Sequence, residues 1–337
     1  MKNKLGPSIN YLDVIDFCLQ LEENNYKIWR DSFGEYRISM NSYSFEERLI
    51  NFPGSKIFIS DQIAAHLKNI KKTHVADKSD TIISIGTFET HNQARIYCEK
   101  KEKYLITVPT PLSNDSFGTN RAQFQNISLS HESLYPSETI FDLELIKESP
   151  SSINILGIGE FSGLFFSIID YFLSRQQPVP LYVLDFIIER INLFTSLDLN
   201  NLDDIYRNLA INLVFKCLIM RKNIDHQIGC GIDHLIGGAL ERKLNISHGQ
   251  AVYLGSIISM LIIPDWERFG LYLPQLITFG NKNGLVSQDL IDQVLKVDLT
   301  QLIQEAMNLR PDRPSMLHSI SFVREGNIWA KFLSHIN

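Results

Sequence analysis

The chain of 337 residues has only four cysteines, Cys18, Cys98, Cys217 and Cys230, and no two of them form a CxxC pair. That excludes a zinc knuckle and a disulfide framework. A long charge-free apolar run is also missing, because the longest candidate, residues 154–173, carries Glu160 and Asp170. A charge near the centre of a bilayer costs at least about 2.5 kcal/mol, so no membrane span is expected. The opening stretch MKNKLGPSIN is polar where a secretory signal is apolar, which makes a cytoplasmic location the expectation. Nor is there a basic excess: 32 Lys plus Arg stand against 38 Asp plus Glu, a net charge of −6. That balance argues against nucleic acid as a partner and leaves room for a local basic pocket. What remains is ordinary for a globular protein, 44% hydrophobic and 21% charged, without repeats or low-complexity tracts. At about 150 residues per domain this length predicts roughly two domains, enough to bury a core without disulfides or a structural metal.

The two halves differ in pattern. In the first, Lys56–Asp61, Thr81–Gly86 and Tyr104–Pro109 read as short buried strands, and Asn92–Lys101 between the last two reads as a helix. Strand, helix, strand at this spacing is a βαβ unit, which predicts a parallel, Rossmann-like sheet with ligands at its carboxyl edge. Residues 1–55 hold a helical pattern over Tyr11–Glu23 but give no role. After Ser149-Pro150-Ser151-Ser152 the chain becomes a series of apolar stretches at helical spacing. These include Phe161 to Phe172, Leu202–Met220, Ile232 to Leu240 and Gln250–Ile263. The expected architecture is an α/β nucleotide-binding-like domain over residues 1–150, its sheet shortened, and an all-α domain over 151–337.

Three segments of the helical half carry polar residues at turns entering apolar helices. They are Gly157-Ile158-Gly159-Glu160, Asp233-His234 with Gly237-Gly238, and His248-Gly249. One carboxylate and two histidines lining a cleft make a His₂Glu metal site with an open position, where a substrate oxygen is polarised. Spacing alone is weak support: the histidines are fourteen residues apart and HExxH is absent. The plain alternative makes Glu160 a helix-start charge and both histidines satisfied polar residues.

These segments resemble, in order, those of the dehydroquinate synthase-like and iron-containing alcohol dehydrogenase superfamily, and within it most of all sn-glycerol-1-phosphate dehydrogenases. IISIGTFETHNQAR (82–95) stands where that family has a strand followed by GGGxxxDxAK, and VPTPLSND (108–115) is similar to its VPTTASND. GIGE (157–160), HLIGGALE (234–241) and HGQAV (248–252) resemble its metal-binding segments, and LRPDR (309–313) its C-terminal IRPDR. The resemblance spans residues 56 to 317. It implies metal ligation by Glu160, His234 and His248, with zinc the first choice and iron or nickel also suited. It further implies that Asp115 contacts substrate, alongside Glu160 in the catalytic set, and that Gly86, Thr110, Ser113 and Thr119 contact NAD(P).

Departures from the family pattern fall mainly on the nucleotide side. The GGG becomes Gly86-Thr87-Phe88, and Glu89 follows where phosphates approach a helix start. Phe88 either fills the pyrophosphate space or is simply core. The family Asp and Lys become Asn92 and Arg95, Pro111 replaces a Thr, and about twenty residues separate two strands where the family fits another βα unit. A substrate-contacting His four residues after the first His ligand is here Gly238. Asp225-His226 reads as a surface turn. Arg310, Asp312 and Arg313 read either as a phosphate clamp or as a structural ion pair.

The resulting expectation is a metal- and NAD(P)-dependent dehydrogenase acting on a small, optionally phosphorylated polyol or ketone. A non-redox lyase or cyclase that keeps the metal, and a catalytically silent homologue that binds a partner, are the alternatives. The expected partner is a small-molecule substrate, with neither nucleic acid nor membrane, and a homo-oligomer is left open.

Overall fold

The computed structural model describes residues 9–41, 56–59, 80–101, 103–123, 130–197, 201–262, 280 and 282–319. Its main sheet has six strands in the order β1-β2-β8-β5-β4-β3. These are β1 (Tyr26–Asp31), β2 (Gly34–Asn41), β3 (Lys56–Ile59), β4 (Thr81–Gly86), β5 (Tyr104–Pro109) and β8 (Glu138–Asp142). A separate ribbon pairs β6 (Arg121–Gln123) with β7 (Ser130–Glu132). Strands β2, β8, β5, β4 and β3 run parallel. Ile82, Ile83, Ile85, Leu105, Ile106 and Val108 are buried in the adjacent interior strands β4 and β5, the near-continuous apolar pattern that a sheet covered on both faces requires.

The sheet is mostly parallel, as expected, and one antiparallel edge strand is added to it. Residues 26–41 form a hairpin in which Asp31 pairs with Gly34, and β1 runs antiparallel to β2. Gly34 adopts φ +96, and the Phe33 amide donates to Asp31 Oδ1 (2.8 Å), closing a two-residue turn. Tyr36, Ile38 and Met40 alternate inward, so the pattern of a half-buried strand was present in the sequence. The same Asp31 carboxylate is gripped by Arg221 through Nε (2.6 Å) and Nη2 (3.0 Å), which fastens the hairpin to the helical half. Burial of Asp31 opposes ionisation, but the hydrogen bonds and charge of Arg221 outweigh it and the pKa falls.

Helices α1 (Leu12–Asn24) and α2 (Phe88–Lys101) belong to the first half, with α2 packed on β4. The short α3 (Leu143–Glu148) and α4 (Ser151–Asn154) lead into α5 (Gly157–Ser174), α6 (Leu181–Ser196), α7 (Leu202–Asn223), α8 (Ile232–Leu244) and α9 (His248–Ile262). Two more, α10 (Gln288–Leu295) and α11 (Leu299–Leu309), close the described part, with short 3₁₀ turns at His226–Gly229 and Met316–Ser319. Helix α5 is buried on every side from Gly157 to Asp170, the signature of a central core helix. The stretch Ser151–Ser174 is long and apolar enough to cross a membrane, and 83% of its most apolar window is buried within the protein. The expected strand end at Asp61, the helix end at Ile263 and the gap over residues 60–79 lie outside the described residues.

Candidate metal centre

Glycines bring the three candidate ligands together. A Cβ at Gly159 would stand 2.1 Å from the Gly249 carbonyl oxygen, and one at Gly249 would stand 2.5 Å from that of Leu156. The starts of α5 and α9 therefore touch backbone to backbone, which places Glu160 against His248. The segment 108–115 is tied to the same helix start by a buried asparagine. Asn154 Oδ1 accepts from the Leu112 amide (2.8 Å), and its Nδ2 donates to the Ile146 carbonyl (2.9 Å).

One ligand atom each from Glu160, His234 and His248 lies within 4.8 Å of the other two. Nε2 of His234 is 3.2 Å from Glu160 Oε2, and Nε2 of His248 is 3.1 Å from Glu160 Oε1. Behind each ring stands a carboxylate. His234 Nδ1 donates to Asp233 Oδ2 (2.6 Å) and His248 Nδ1 to Glu241 Oε2 (2.8 Å). Asp233 is itself held by Ser167 Oγ (2.5 Å). A carboxylate on Nδ1 fixes the ring and leaves Nε2 as the inward ligand, the usual outer support of a metal-binding histidine.

A residue that the motifs did not reveal completes the cluster. Lys216 of α7 is fully buried, with Nζ 2.5 Å from Glu160 Oε2 and 3.0 Å from Asp115 Oδ2. Burial opposes its charge, but Asp115 and Glu160 prevail and the pKa rises well above the usual lysine range. For Glu160, burial alone would raise the pKa, while Lys216 and His234 hold it well below the carboxylate range. Burial likewise opposes protonation of His248, yet its bonds to Glu160 and Glu241 lift its pKa to about 10. Glu160, Asp115, Asp233 and Glu241 thus surround one lysine and two imidazoles. A donor set of one carboxylate and two neutral imidazoles, short of positive charge, suits a divalent ion such as zinc.

The structure brings Asp115 to this cluster through Lys216. The proposed cofactor residues lie at the carboxyl edge of the sheet. Gly86 ends β4 with φ +147, and its carbonyl accepts from the Thr110 amide (3.2 Å). Thr110 is buried and its hydroxyl has no hydrogen-bond partner among the described residues. Ser113 is half-buried beside Asn114 Nδ2 (3.3 Å), and Thr119 is buried in the turn that carries Asn120. Phe88 is not core: it opens α2 at 37% exposure, followed by exposed Glu89.

Two further expectations change. His226 is buried and not on the surface, with Nε2 2.5 Å from Asn120 Oδ1. Burial, then the nearby charges of Arg121, Lys216, Arg95 and Arg313, push its pKa down to about 3. No ion pair joins Asp312, which is exposed, to Arg310 or Arg313 among the described residues. Instead Arg313 Nη1 donates to the Cys230 carbonyl.

The segment after Arg313 is anchored by Asp170, whose Oδ1 accepts from Ser315 Oγ (3.0 Å) and the Met316 amide (2.6 Å). Burial raises the Asp170 pKa to about 6 from 3.8, against the pull of those bonds. A raised carboxyl pKa lowers stability as pH climbs from about 4 to about 6, by about 3 kcal/mol, with no further change above. Asp170→Asn, which stays neutral and accepts the same bonds, is expected to stabilise the protein by about 1–3 kcal/mol at about pH 7 and to flatten that slope. Urea unfolding of both proteins across this range checks it, and a less stable variant at neutral pH overturns it.

No protein-family model matches the chain. It is 26% identical over 237 residues to a glycerol-1-phosphate dehydrogenase [NAD(P)+] of Methanococcus aeolicus, covering 63% of this chain and 69% of that one. Among solved structures, a probable glycerol dehydrogenase from Sinorhizobium meliloti 1021 matches with a TM-score of 0.61 at 15% identity, over 89% of this chain and 96% of the other. A 2-deoxy-scyllo-inosose synthase matches with a TM-score of 0.57 at 16% identity, over 84% and 89%. The fold is that of glycerol dehydrogenase-like proteins, a mostly parallel sheet followed by a largely helical region. In sequence the chain is similar to curated glycerol-1-phosphate dehydrogenases at 21 to 26% identity, and in fold to glycerol dehydrogenases.

Proposed function

We propose that this protein is a metal- and NAD(P)-dependent dehydrogenase of the glycerol-1-phosphate dehydrogenase type, acting on a small polyol or the matching ketone. The observation that carries the reading is the convergence of Glu160, His234 and His248, each histidine backed by its own carboxylate. Glu160, His234 and His248 would hold a divalent metal, which would supply Lewis-acid polarisation of a substrate carbonyl or hydroxyl oxygen. The division of labour follows the expected boundary, with residues 1–150 binding the dinucleotide and 151–337 the metal. Asp115 orients the substrate and is itself held by Lys216 Nζ (3.0 Å). Lys216 also balances the Glu160 carboxylate inside a buried site, where an uncompensated charge is costly. On the cofactor side, the partnerless Thr110 hydroxyl beside Gly86 offers the dinucleotide a hydrogen bond, with Ser113 and Thr119 further along the same segment.

Calorimetric titration of NADH and NADPH into the metal-loaded protein tests this reading. Micromolar binding is the expected result, and Thr110→Val is expected to weaken it by about three- to tenfold, the worth of one hydrogen bond. The second reading, a metal-dependent lyase or cyclase without redox chemistry, is favoured by one feature, Phe88 and Glu89 at the start of α2. An aromatic ring and a carboxylate there oppose a pyrophosphate by size and charge. No binding at millimolar dinucleotide, with metal present, would decide for it.

A further inference from the structure

We infer that Arg95 is a positioning residue for the proposed reaction: by clasping both ends of the turn from Ser116 to Arg121, it fixes Asp115 beside the metal centre and joins that residue to helix α2. The inference rests on the proposed function for the claim that Asp115 orients substrate.

Arg95 lies two turns into α2, whose first residues, Phe88 and Glu89, stand at the carboxyl edge of the sheet. Its side chain is fully buried and its guanidinium spans the turn. Nη2 donates to the Ser116 carbonyl (2.6 Å) and Nη1 to the Arg121 carbonyl (3.0 Å). Those two carbonyls bound the segment that follows Asp115 and carries Thr119, so one planar group closes it. A lysine ammonium lacks the fork that holds two carbonyls in a fixed geometry. Helix α2 also packs against β6, which Arg121 begins, so packing and clasp secure the same end.

Stability alone would not select this arrangement. Among the described residues Arg95 makes no ion pair, and its buried Nε has no hydrogen-bond partner. A buried cation without a carboxylate costs more than an apolar side chain filling the same space. What the guanidinium supplies is geometry. From the opposite side, Lys216 Nζ holds Asp115 Oδ2 (3.0 Å), and Cys217 Sγ donates to the Asp115 carbonyl (3.5 Å). Further along, Asn120 Oδ1 lies 2.5 Å from His226 Nε2. The turn is thus fastened to α7 by Lys216 and Cys217, and by His226 to the segment that precedes the metal helix α8. Arg95 supplies the tie from the sheet side, where the dinucleotide residues gather.

The test uses the full-length, metal-loaded protein and the variants Arg95→Met, Arg95→Lys, Asp115→Asn and Arg95→Met with Asp115→Asn. Calorimetry with glycerol 1-phosphate is read beside amide hydrogen exchange. Arg95→Met is expected to weaken the probe by about tenfold with metal content unchanged, and Arg95→Lys to recover part of the loss. Because Arg95 acts through Asp115, it should add nothing to the loss in Asp115→Asn. The Ser116 and Gly118 amides, bonded to Asn114 Oδ1 (3.0 Å) and the Asp115 carbonyl (3.1 Å), should exchange about tenfold faster while β4 and β5 keep their protection. If Arg95→Met does not fold, Arg95→Lys carries the same comparison, with about a threefold loss of affinity. A loss that adds in full to that of Asp115→Asn overturns the inference, as does unchanged exchange at Ser116 and Gly118. Failure of the parent protein to bind glycerol 1-phosphate removes the proposed function; the exchange at those two amides then decides the clasp alone, its rise supporting it and its constancy overturning it.

Discussion

Replacing His234 by Ala is expected to reduce bound divalent metal from about one per chain to less than a tenth, because one ligand of three is lost. His248→Ala should do the same, and circular dichroism should show the helical half intact in both, since neither ring fills the apolar core. A graded result is expected one step further out. Glu241 supports His248 through Nδ1 (2.8 Å) and touches the site nowhere else, so Glu241→Gln should weaken metal by about tenfold, at the low end for an outer-shell partner. Metal analysis after dialysis, together with competition against a chromophoric chelator, measures both effects. Full metal content in His234→Ala and His248→Ala would remove the site.

Lys216→Met should have the largest effect on stability. The ammonium is fully buried and shared by Glu160 and Asp115, so its removal leaves Asp115 without its cation and Glu160 with the two imidazoles alone. Breaking a buried pair from one side typically costs about 3–5 kcal/mol. The loss should be greatest in chelator and shrink when metal is supplied, since a divalent ion on Glu160 replaces part of the missing charge. Chemical unfolding with and without metal separates the two conditions. A variant as stable as the parent in chelator would mean that Lys216 does not neutralise the cluster.

Much of this architecture was legible in the sequence, for identifiable reasons. Strands β4 and β5 announce themselves as isoleucine- and valine-rich runs, because strands covered on both faces leave little room for polar residues. Helix α5 shows in the spacing of its phenylalanines and isoleucines. The ligand triad was legible only through its glycine-flanked segments, for the histidines sit on two helices and no local spacing joins them. The hairpin at residues 26–41 was missed although Tyr36, Ile38 and Met40 alternate and Gly34 marks the turn, because the preceding strand buries only Trp29 and shows no apolar alternation.

Lys216 had a signal as well, a lone cation within the apolar run Leu213-Val214-Phe215-Lys216-Cys217-Leu218. A charge at such a position has to find a carboxylate, and nothing in the sequence says which. His226 illustrates the opposite failure. Its sequence neighbours Asp225 and Gln227 are polar, but its turn packs against α5 and α7 and its ring meets Asn120, 106 residues away. Phe88 was weighed as core or as an obstruction at the cofactor site. Its exposure at the carboxyl edge of the sheet removes the first choice and keeps the second in play.

The most direct test of the central claim is hydride transfer itself, followed through the near-ultraviolet absorbance of reduced nicotinamide. With glycerol 1-phosphate and NAD⁺ or NADP⁺, the metal-loaded protein is predicted to generate reduced dinucleotide, and chelator or His248→Ala to abolish the signal. Absence of any absorbance change in a protein shown by separate titrations to hold metal, dinucleotide and glycerol 1-phosphate together would contradict the assignment as a dehydrogenase.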